Sequence, residues 1–258
     1  MRLITWNVAG RAKLLQRQAD ALERAEPDIV CLQEVRSTTL PRWRGRLARM
    51  GLTELADSRE WMGDRRYFVV TASRWPFTEL PPIGAPYPER VLSGVLDTPF
   101  GELELHNAHI PPAPNHGILK IETLEALHFA LARPAARHRV LAGDLNVPRL
   151  ETIDGEIITL ADRHPEQLLR WDAAERSLFE LGEYDLRDCF RRLHGFERRD
   201  VSWVLHTRNM KKSGMRLDHI LASSSMNVVY CDYHHEWRDS GLSDHSAMEA
   251  VFEPEARG

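Results

Sequence analysis

Apolar residues along this chain recur with two different periods, and the two periods alternate from segment to segment. From Ala12 to Ala25 the apolar positions are spaced by three and four residues, which is the period of one face of an amphipathic helix. Pro27 and Asp28 follow and end that pattern. The same period predicts helices over Ile118–Ala132, Ala173–Leu181 and Leu186–Leu193, and a basic helix that contains Arg42, Arg44, Arg46 and Arg49.

Short runs of β-branched and apolar residues separate these helices and predict strands. The turn Asp97–Gly101 joins two of the runs, so these two are expected to pair as a hairpin. Between Glu151 and Glu166 no period is visible, and we expect an excursion over the surface there. The predicted strands are Leu3–Trp6, Ile29–Leu32, Tyr67–Ala72, Val91–Leu96, Glu102–Ile110, Arg139–Ala142, Val201–His206, Leu217–Ala222, Asn227–Cys231 and Ala247–Phe252.

Hairpins with helices between only some of the strands are typical of an α+β fold. We predict a four-layer α/β/β/α sandwich, in which two mostly antiparallel sheets pack face to face and helices flank them. No repeat, low-complexity tract or linker interrupts the pattern, so residues 1–258 are expected to form a single domain.

Composition narrows the class of protein further. The chain has 258 residues, a formal net charge of −4 at pH 7 and 43% hydrophobic residues, which is typical of a globular protein rather than a disordered or fibrous one. No apolar stretch approaches the roughly 18–20 residues of a membrane helix, and the first residues lack the pattern of a secretory signal. The three cysteines, Cys31, Cys189 and Cys231, are too few for a disulfide framework, so a cytoplasmic protein is expected.

Polar residues stand directly after apolar strands in five places. Strand ends at one edge of a sheet meet in space, so side chains far apart along the chain can form one site there. Carboxylates that meet without matching Lys or Arg repel one another unless a cation lies between them, and oxygen ligands favour Mg²⁺ or Mn²⁺. Each segment alone has a simpler explanation as a turn, a helix cap or an ion pair, and only the ordered set predicts a metal site. The five segments are Thr5-Trp6-Asn7, Leu32-Gln33-Glu34, Gly143-Asp144-Leu145-Asn146, Arg216-Leu217-Asp218-His219 and Ser243-Asp244-His245.

These segments resemble the motifs of a known superfamily. TWNVAG, PDIVCLQEVR, GDLNVP, RLDHILAS and SDHSAM occur in the order typical of the endonuclease/exonuclease/phosphatase superfamily, and the similarity covers nearly the whole chain. That superfamily includes exonuclease III, abasic-site endonucleases, deoxyribonuclease I, inositol polyphosphate 5-phosphatases and neutral sphingomyelinases. Over Leu186–Ser223 the chain is most similar to exonuclease III-type enzymes. The resemblance implies a metal-dependent hydrolase of phosphodiester bonds.

The resemblance also implies a set of metal ligands. Glu34 looks like the principal Mg²⁺ ligand, or Mn²⁺ ligand, with help from Asn7 and Asp244. The full set of residues expected around the metal is Asn7, Glu34, Asp144, Asn146, Asp244 and His245.

Four residues resemble the catalytic groups of the superfamily. Asp144 is similar to the carboxylate that positions or deprotonates the attacking water, and Asn146 to the amide that orients the phosphate. His245 resembles the histidine that contacts the scissile phosphate, either as a general base or as a stabiliser of the transition state, and Asp218 is expected to fix its ring. A histidine held by a carboxylate has a defined tautomer and a raised pKa, which favours the imidazolium beside a phosphate.

Position 109 departs from the pattern of the abasic-site endonucleases. Their matching segment carries a tyrosine, whereas this chain has His109 in Asn107-Ala108-His109-Ile110-Pro111-Pro112. A histidine at this point is like deoxyribonuclease I and the sphingomyelinase and phosphatase branches, in which it assists the leaving group. At neutral pH a protonated imidazole is a better acid than a tyrosine with a pKa of about 10. The departure argues against abasic-site specificity but not against hydrolysis, and packing at a strand end is the simpler alternative for His109.

Basic residues cluster in the segment that leads to the last two motifs. Residues 187–216 hold nine Lys or Arg and three Asp or Glu, a local net charge of +6 that suits a polyanion. Trp203 and Met215 border this segment, and Trp203 is a candidate for stacking on a base or a sugar. By resemblance, Arg90 and Lys120 are expected to contact phosphate. The alternative is that the arginines form a solvated helix face and Trp203 belongs to the core.

Three functions are compatible with these residues. The first is a DNA-directed nuclease of the exonuclease III type with a place in DNA repair, whose partner is DNA and which acts as a monomer. The second is a phosphoesterase for a small-molecule or lipid phosphate, which His109 favours. The third, a catalytically silent binding module, is disfavoured because every predicted ligand position holds a residue that can act as a ligand.

Overall fold

Two six-stranded β-sheets and the helices on their outer faces contain most of the regular structure. The structure, a computed structural model, describes residues 1–112, 117–163, 165–205 and 213–253. Among the helices in this part of the chain, none has the length and apolar character needed to cross a membrane. The strands are β1 (Arg2–Asn7), β2 (Ile29–Val35), β3 (Glu54–Asp57), β4 (Phe68–Ser73), β5 (Phe77–Glu79), β6 (Val91–Thr98), β7 (Gly101–His109), β8 (His138–Asp144), β9 (Leu150–Glu151), β10 (Ile157–Ile158), β11 (Arg187–Asp188), β12 (Trp203–Leu205), β13 (Ser213–Met215), β14 (Asp218–Ala222), β15 (Asn227–His234) and β16 (Ala247–Glu253). The α-helices are α1 (Leu15–Ala25), α2 (Leu40–Arg49), α3 (Ile118–Leu131), α4 (Leu168–Glu180), α5 (Cys189–His194) and α6 (His235–Asp239).

The two large sheets are built alike. The first has the strand order β15-β16-β1-β2-β4-β3, and the second has the order β11-β14-β8-β7-β6-β5. One pair in each sheet is parallel, β1 with β2 and β7 with β8, and the other pairs are antiparallel. Small two-stranded sheets join β9 to β10 and β12 to β13. The large sheets are therefore mixed and mostly antiparallel, as predicted.

Apolar side chains fill three layers of the molecule. Leu22 of α1 and Trp43 of α2 belong to the layer on the outer face of the first sheet. Leu105 and Phe252 belong to the layer between the two sheets, and Leu124 of α3 to the layer outside the second sheet. Complete burial of one such side chain contributes roughly 1.5–3 kcal/mol. The order of the layers confirms the predicted α/β/β/α sandwich.

Periodicity located α1 and α3, and it located α4 except for its first five residues, since that helix begins at Leu168 rather than at Ala173. The helix predicted over Leu186–Leu193 is also wrong at its start. Arg187 and Asp188 form β11 and pair with β14. The side chain of Asp188 accepts a hydrogen bond from the backbone N–H of Arg191 and so caps α5, which begins one residue later. A capping aspartate needs extended backbone, and this is why the strand continues up to it.

The predicted strands are present, with differences at their ends. β6 and β7 pair in antiparallel register on both sides of the turn Asp97–Gly101, which confirms the hairpin. The predicted excursion Glu151–Glu166 contains the short hairpin of β9 and β10. β3 and β5 were not predicted, because segments of three or four residues are too short to show a period. The last residue of the predicted strand Val201–His206 lies outside the described residues.

The carboxyl ends of four central strands lie at one edge of the sandwich. In the first sheet Asn7, at the end of β1, pairs with Gln33 of β2, and in the second sheet His109, at the end of β7, pairs with Asp144 at the end of β8. Gly143 permits the close approach of β7 and β8, since its φ is +149° and a Cβ there would lie 1.8 Å from a carbonyl oxygen of β7. Asn7 Nδ2 donates a hydrogen bond to Asp144 Oδ2 at 2.9 Å, so the two sheets meet at this edge.

Candidate active site

One oxygen of Asp144 lies at the centre of the predicted site. Asp144 is 1% exposed and ends β8. Its Oδ2 accepts a hydrogen bond from Asn7 Nδ2 at 2.9 Å and lies 3.7 Å from His109 Nε2 and 3.8 Å from His245 Nε2. Side chains that the sequence separates by more than two hundred positions therefore meet around this oxygen.

Glu34 reaches the same place from the first sheet. Its Oε1 accepts a hydrogen bond from Asn7 Nδ2 at 3.2 Å and lies 3.8 Å from His109 Nε2. The register of β2 and β4 shifts between Leu32 and Val35, and in this bulge Glu34 adopts a left-handed φ of +58°. A left-handed backbone costs a non-glycine residue about 1–3 kcal/mol, so the surrounding fold must hold Glu34 in this conformation.

Asp218 and His245 form a buried hydrogen-bonded pair. His245 Nδ1 lies 2.8 Å from Asp218 Oδ2, and Asp218 is fully buried. Asp218 pairs with Asp144 across β14 and β8, and the second ring nitrogen of His245 is directed to Asp144. Burial lowers the pKa of His245, but the charges of Asp218 and Asp144 outweigh it and raise this pKa to about 10. The imidazole is therefore held as a cation with a fixed orientation.

The charges around Asp144 fit a divalent cation. Burial raises the pKa of Asp144, and although His245 lowers it, the nearby carboxylates of Asp218 and Glu34 contribute to a pKa of about 7. A cation relieves this repulsion, and carboxylate oxygens are the ligands that Mg²⁺ and Mn²⁺ prefer. Asn7 directs its Nδ2 to the carboxylates, while its Oδ1 accepts the backbone N–H of Ala9 at 2.9 Å. Glu34 and Asp144 therefore fit the expected metal as they stand, and Asn7 fits it after its amide turns over.

The ligand atoms of Asp144, Asp218 and His245 also lie within 4.8 Å of one another, and they are the metal-ligand cluster found among the described residues. Two of these atoms, His245 Nδ1 and Asp218 Oδ2, already bond to each other. The oxygen-rich side of Asp144 that faces Glu34 is therefore the better place for a hard cation, and the Asp218–His245 side is better suited to hold a proton.

His109 and Arg90 lie against each other at the same edge. Arg90 Nη1 is 3.1 Å from His109 Nδ1 and 3.2 Å from His109 Nε2. Burial lowers the pKa of Arg90, while the charges of Glu89, Glu34 and Asp144 act in the opposite direction. A guanidinium stays charged in proteins, so Arg90 brings a fixed positive charge to the carboxylates. Both residues therefore lie near Glu34 and Asp144, and their roles at a phosphate stay predictions.

Asn146 and Asp244 border the site. Asn146 has a left-handed φ of +51°, and its backbone N–H donates to Asp144 Oδ1 at 3.1 Å. The side chain of Asp244 is 45% exposed and lies 3.8 Å from Arg11 Nη2, and its charge is one of those that raise the pKa of His245. The structure brings both residues next to the site, and their roles as metal ligands stay predictions.

Lys120 lies below the site rather than at its surface. Its side chain is fully buried, and Nζ lies 2.5 Å from Glu175 Oε1 and donates to the carbonyl oxygen of Asn146 at 2.9 Å. In this conformation the ammonium faces the protein interior, whereas the sequence analysis expected it to face a phosphate.

The segment 187–216 offers less free positive charge than its sequence indicates. Arg216 donates to Glu151 Oε2 and to Asp188 Oδ2, both at 2.7 Å, and Arg191 donates to Glu151 at 2.6 Å. Glu151, from outside the segment, and Asp188, from within it, thus neutralise the guanidinium groups of Arg216 and Arg191. Arg216 is buried and Arg191 is half-buried. Arg208, Lys211 and Lys212 fall outside the described residues.

Trp203 and Met215 are neighbours beside His245. They face each other across β12 and β13, and Trp203 forms an isolated antiparallel bridge with His245. Both side chains are half-buried. The candidate stacking residue therefore lies next to the site and is not fully buried.

A second cationic surface, which the sequence analysis missed except for Arg90, begins at Arg90 and extends beyond Glu34. Two tyrosine rings are each flanked by two guanidinium groups, whose carbons lie 5.4 and 5.1 Å from one ring centre and 4.3 and 5.6 Å from the other. A guanidinium stacked on a ring keeps its charge. In this set Arg65 donates to the buried carboxylate of Glu89 at 2.7 Å, which offsets its charge, and Arg90 lies against His109. The run Arg65-Arg66-Tyr67 was the available signal. This arginine–tyrosine wall consists of Tyr67 with Arg36 and Arg66, and of Tyr87 with Arg65 and Arg90.

Polar contacts between the two sheets, directly below the site, were also missed. Gln33 Nε2 donates to Asn107 Oδ1 at 2.8 Å, and Asn107 Nδ2 donates to the carbonyl oxygen of Val70 at 2.9 Å. Both amides are fully buried. These hydrogen bonds fix the sheet that carries Glu34 relative to the sheet that carries His109. In the sequence, a polar residue within an otherwise apolar strand was the available sign of such a contact.

The sequence as a whole matches a family that fits this geometry. A model of the Endonuclease/Exonuclease/phosphatase family matches residues 4–245. The chain belongs to this family. Its members are metal-dependent phosphodiesterases and nucleases, so the protein is a hydrolase of phosphodiester bonds. No curated protein matches the chain.

Solved structures of similar fold include DNA-processing enzymes. An AP endonuclease from Archaeoglobus fulgidus is 22% identical with a TM-score of 0.74, and the match covers 98% of this chain and 99% of that chain. D. rerio TDP2 complexed with a single strand DNA product is 17% identical with a TM-score of 0.70, and 98% of each chain is covered. An endonuclease/exonuclease/phosphatase from Beutenbergia cavernae DSM 12333 is 21% identical with a TM-score of 0.65, covering 98% of this chain and 71% of that chain. At these identities the similarity establishes the shared fold.

Proposed function

We propose that the protein is a DNA-directed nuclease of the exonuclease III type that hydrolyses phosphodiester bonds with Mg²⁺ or Mn²⁺ and acts in DNA repair. The observation that carries the proposal is the convergence of Glu34, Asp144 and the Asp218–His245 pair at one edge of the sandwich. The arginine–tyrosine wall on one side and Trp203 on the other support a long polyanion as the substrate. The fold is shared with D. rerio TDP2, which has been solved with a single strand DNA product.

The residues divide the work of hydrolysis between them. When bound, the metal ion lowers the pKa of a water molecule and neutralises charge on the phosphate. Glu34 and Asp144 would hold it, with Asn7 and Asp244 as further ligands. Asp144 also orients the attacking water, because its Oδ2 is the oxygen on which the other side chains converge.

The two histidines stabilise charge on two different oxygens, one on the phosphate and one on the leaving group. With Nδ1 bonded to Asp218, His245 offers Nε2 to a phosphate oxygen and stabilises the charge that develops there. His109 donates a proton to the leaving oxygen, and Arg90 beside it binds the phosphate. Asn146 orients the phosphate with its amide.

A phosphoesterase for a small-molecule or lipid phosphate is the second candidate, and His109 is the observation that favours it. The two candidates differ in how much surface the substrate covers. A short substrate makes contact near Asp144, whereas DNA also covers the arginine–tyrosine wall.

A substrate panel tests the proposal. The protein is incubated with Mg²⁺ and with abasic duplex, intact duplex, single-stranded DNA, RNA or phosphodiester lipids, and the products are separated. We expect cleavage of DNA, and turnover confined to the lipids would favour the second candidate. We expect EDTA to abolish the activity and Mg²⁺ or Mn²⁺ to restore it, because the proposed mechanism relies on the metal ion to activate water and to neutralise phosphate charge. Full activity in the chelator would refute the metal-dependent mechanism.

A further inference from the structure

A buried ion pair lies directly beneath the loop that follows Asp144. Lys120, in the first turn of α3, and Glu175, in α4, are both almost completely excluded from solvent, at 0% and 1% exposure. Their charged atoms lie 2.5 Å apart. A cation in the first turn of a helix opposes the helix dipole, and burial removes both charges from water. The ion pair therefore contributes little net stability, because the unfavourable helix dipole and the desolvation of both charges offset the attraction between them. Its other hydrogen bonds indicate its role.

Glu175 is held at both of its oxygens. Oε1 accepts a hydrogen bond from Trp171 Nε1 at 2.9 Å, and Oε2 accepts the backbone N–H of Leu160 at 2.9 Å. A carboxylate fixed in this way gives Lys120 a single position for its ammonium group. Lys120 has donors left after it binds Glu175, since an ammonium carries three.

The ammonium of Lys120 uses one of these donors on the catalytic loop. It bonds to the carbonyl oxygen of Asn146 at 2.9 Å. Asn146 has a left-handed backbone, and its own N–H donates to Asp144 Oδ1 at 3.1 Å. A continuous series of hydrogen bonds therefore runs from Glu175 through Lys120 and Asn146 to the carboxylate at the centre of the site.

We propose that Lys120 and Glu175 are positioning residues that hold the loop Asp144–Asn146 in the conformation that hydrolysis requires. They act from below, through the backbone of Asn146, and do not touch the substrate. The kinetic part of the test rests on the proposed nuclease function, whereas a hydrogen-exchange measurement on the loop does not need a substrate.

The test replaces the pair by uncharged residues of similar size. In Lys120→Met/Glu175→Gln the glutamine oxygen still accepts from Trp171, the bond from the backbone N–H of Leu160 is lost, and the methionine fills the volume of the lysine without its donors. We expect kcat on DNA to fall by about 10- to 100-fold, because displacement of a catalytic group by about 1 Å has an effect of this size, while KM changes little. We also expect faster amide hydrogen exchange at Leu145 and Asn146, measured by mass spectrometry or NMR.

A matched control exists on the same two helices. Arg170 of α4 binds Glu125 of α3 through two hydrogen bonds of 2.8 and 2.6 Å, and this pair is exposed and has no bond to the catalytic loop. Glu125→Gln/Arg170→Met removes an ion pair between α3 and α4 and should leave kcat and loop exchange unchanged. Melting temperatures of all variants separate loss of fold from loss of position.

The single variant Glu175→Gln distinguishes positioning from direct phosphate binding. If Lys120 positions the loop, this variant lowers kcat, because the neutral amide holds the ammonium less firmly. If Lys120 instead contacts phosphate, Glu175→Gln frees it and activity is kept, whereas Lys120→Met raises KM and reduces the salt dependence of binding by about one phosphate contact. That second pattern overturns the proposal, as do wild-type kcat and loop exchange in the folded double variant. If no substrate is cleaved by the wild type, the proposed function fails, and the exchange data still decide the positioning role.

Discussion

At the scale of single residues, position rather than identity gives each side chain its chemistry. The chain has many aspartates, and Asp144 differs from an ordinary one because its pKa rises to about 7. The larger cause is burial, and the nearby carboxylates of Asp218 and Glu34 add to it. His245 owes its charge to the same carboxylates that repel one another. The pair Asp218–His245 therefore works as a unit, in which the aspartate sets both the ring orientation and the charge.

Removal of the charge at position 218 tests this unit. We expect Asp218→Asn to lower kcat by at least about 100-fold with little change in KM, because the imidazolium loses the partner that sets its orientation and charge, whereas the other proposed phosphate contact, Arg90, stays in place. Steady-state kinetics on a DNA substrate measure the effect. Asp239→Asn is the control, since that carboxylate is 67% exposed and lies beside Arg238. An unchanged kcat in Asp218→Asn would remove this residue from the site.

At the scale of elements, buried ion pairs join the segments around the site. Arg216, just before β14, binds Glu151 of β9 and Asp188 of β11. Burial raises the pKa of Glu151, but its bonds to Arg216 and Arg191 outweigh burial and lower this pKa to about 2. Burial likewise opposes ionisation of Asp188, yet Arg216 holds the pKa of that carboxyl well below its usual range. Three short elements are thus held together by charges that require ionised carboxylates.

This network makes the stability of the protein sensitive to acid. Both pKa values are depressed by folding, so the stabilisation is fully present above the ordinary carboxyl pKa of about 4–4.5 and is lost as the pH falls from there towards 2. Urea unfolding at several pH values should show the free energy of unfolding falling below pH 4.5. In Glu151→Gln the slope of the unfolding free energy against pH should correspond to the uptake of about one proton fewer on unfolding. Glu102→Gln, which replaces a 59% exposed carboxylate, should keep the wild-type slope. Equal slopes for Glu151→Gln and the wild type would contradict the assignment.

At the scale of the whole molecule, the site lies between two different surfaces. The arginine–tyrosine wall comes from the ends of β2, β4 and β6, and Trp203 and Met215 come from the half that holds β14 and β16. Asp144 lies between them on β8. A strand of DNA that crosses Asp144 can therefore have phosphates on guanidinium groups to one side and a base or sugar on Trp203 to the other.

Arg66 is the member of the wall best suited to a test. Its side chain is exposed, it stacks on Tyr67, and within the described part of the chain it forms no ion pair. Arg66→Ala should weaken DNA binding and lower the slope of log Kd against log salt by about one contact, which fluorescence anisotropy between roughly 50 and 200 mM salt can measure. Arg137→Ala is the control, because Arg137 precedes β8 at the end opposite Asp144 and binds Glu102. Equal slopes for Arg66→Ala and the wild type would move the DNA path away from the wall.

The local pattern of the chain was enough to predict most of the elements and the residues of the site. Periods of two and of three to four residues depend only on which side chains face a core, so α1, α3, the hairpin of β6 and β7 and the sandwich itself could be predicted. The order of the motifs that contain Asn7, Glu34, Asp144, Asp218 and His245 indicated the hydrolase family by resemblance. In the structure Asn7, Glu34 and Asp144 lie at the ends of strands, whereas Asp218 begins β14 and His245 precedes β16.

Only the tertiary structure decided which charges are free and which are bound. Glu151 and Arg216 are 65 positions apart, and Lys120 and Glu175 are 55 positions apart, so no local pattern reveals that they meet. For this reason the net charge counted over residues 187–216 overestimated the positive charge that is available to a substrate. Nothing in the sequence indicated that the guanidinium of Arg66 is exposed. The strength of a charge depends on its burial and on its partners, and both arise when distant segments pack together.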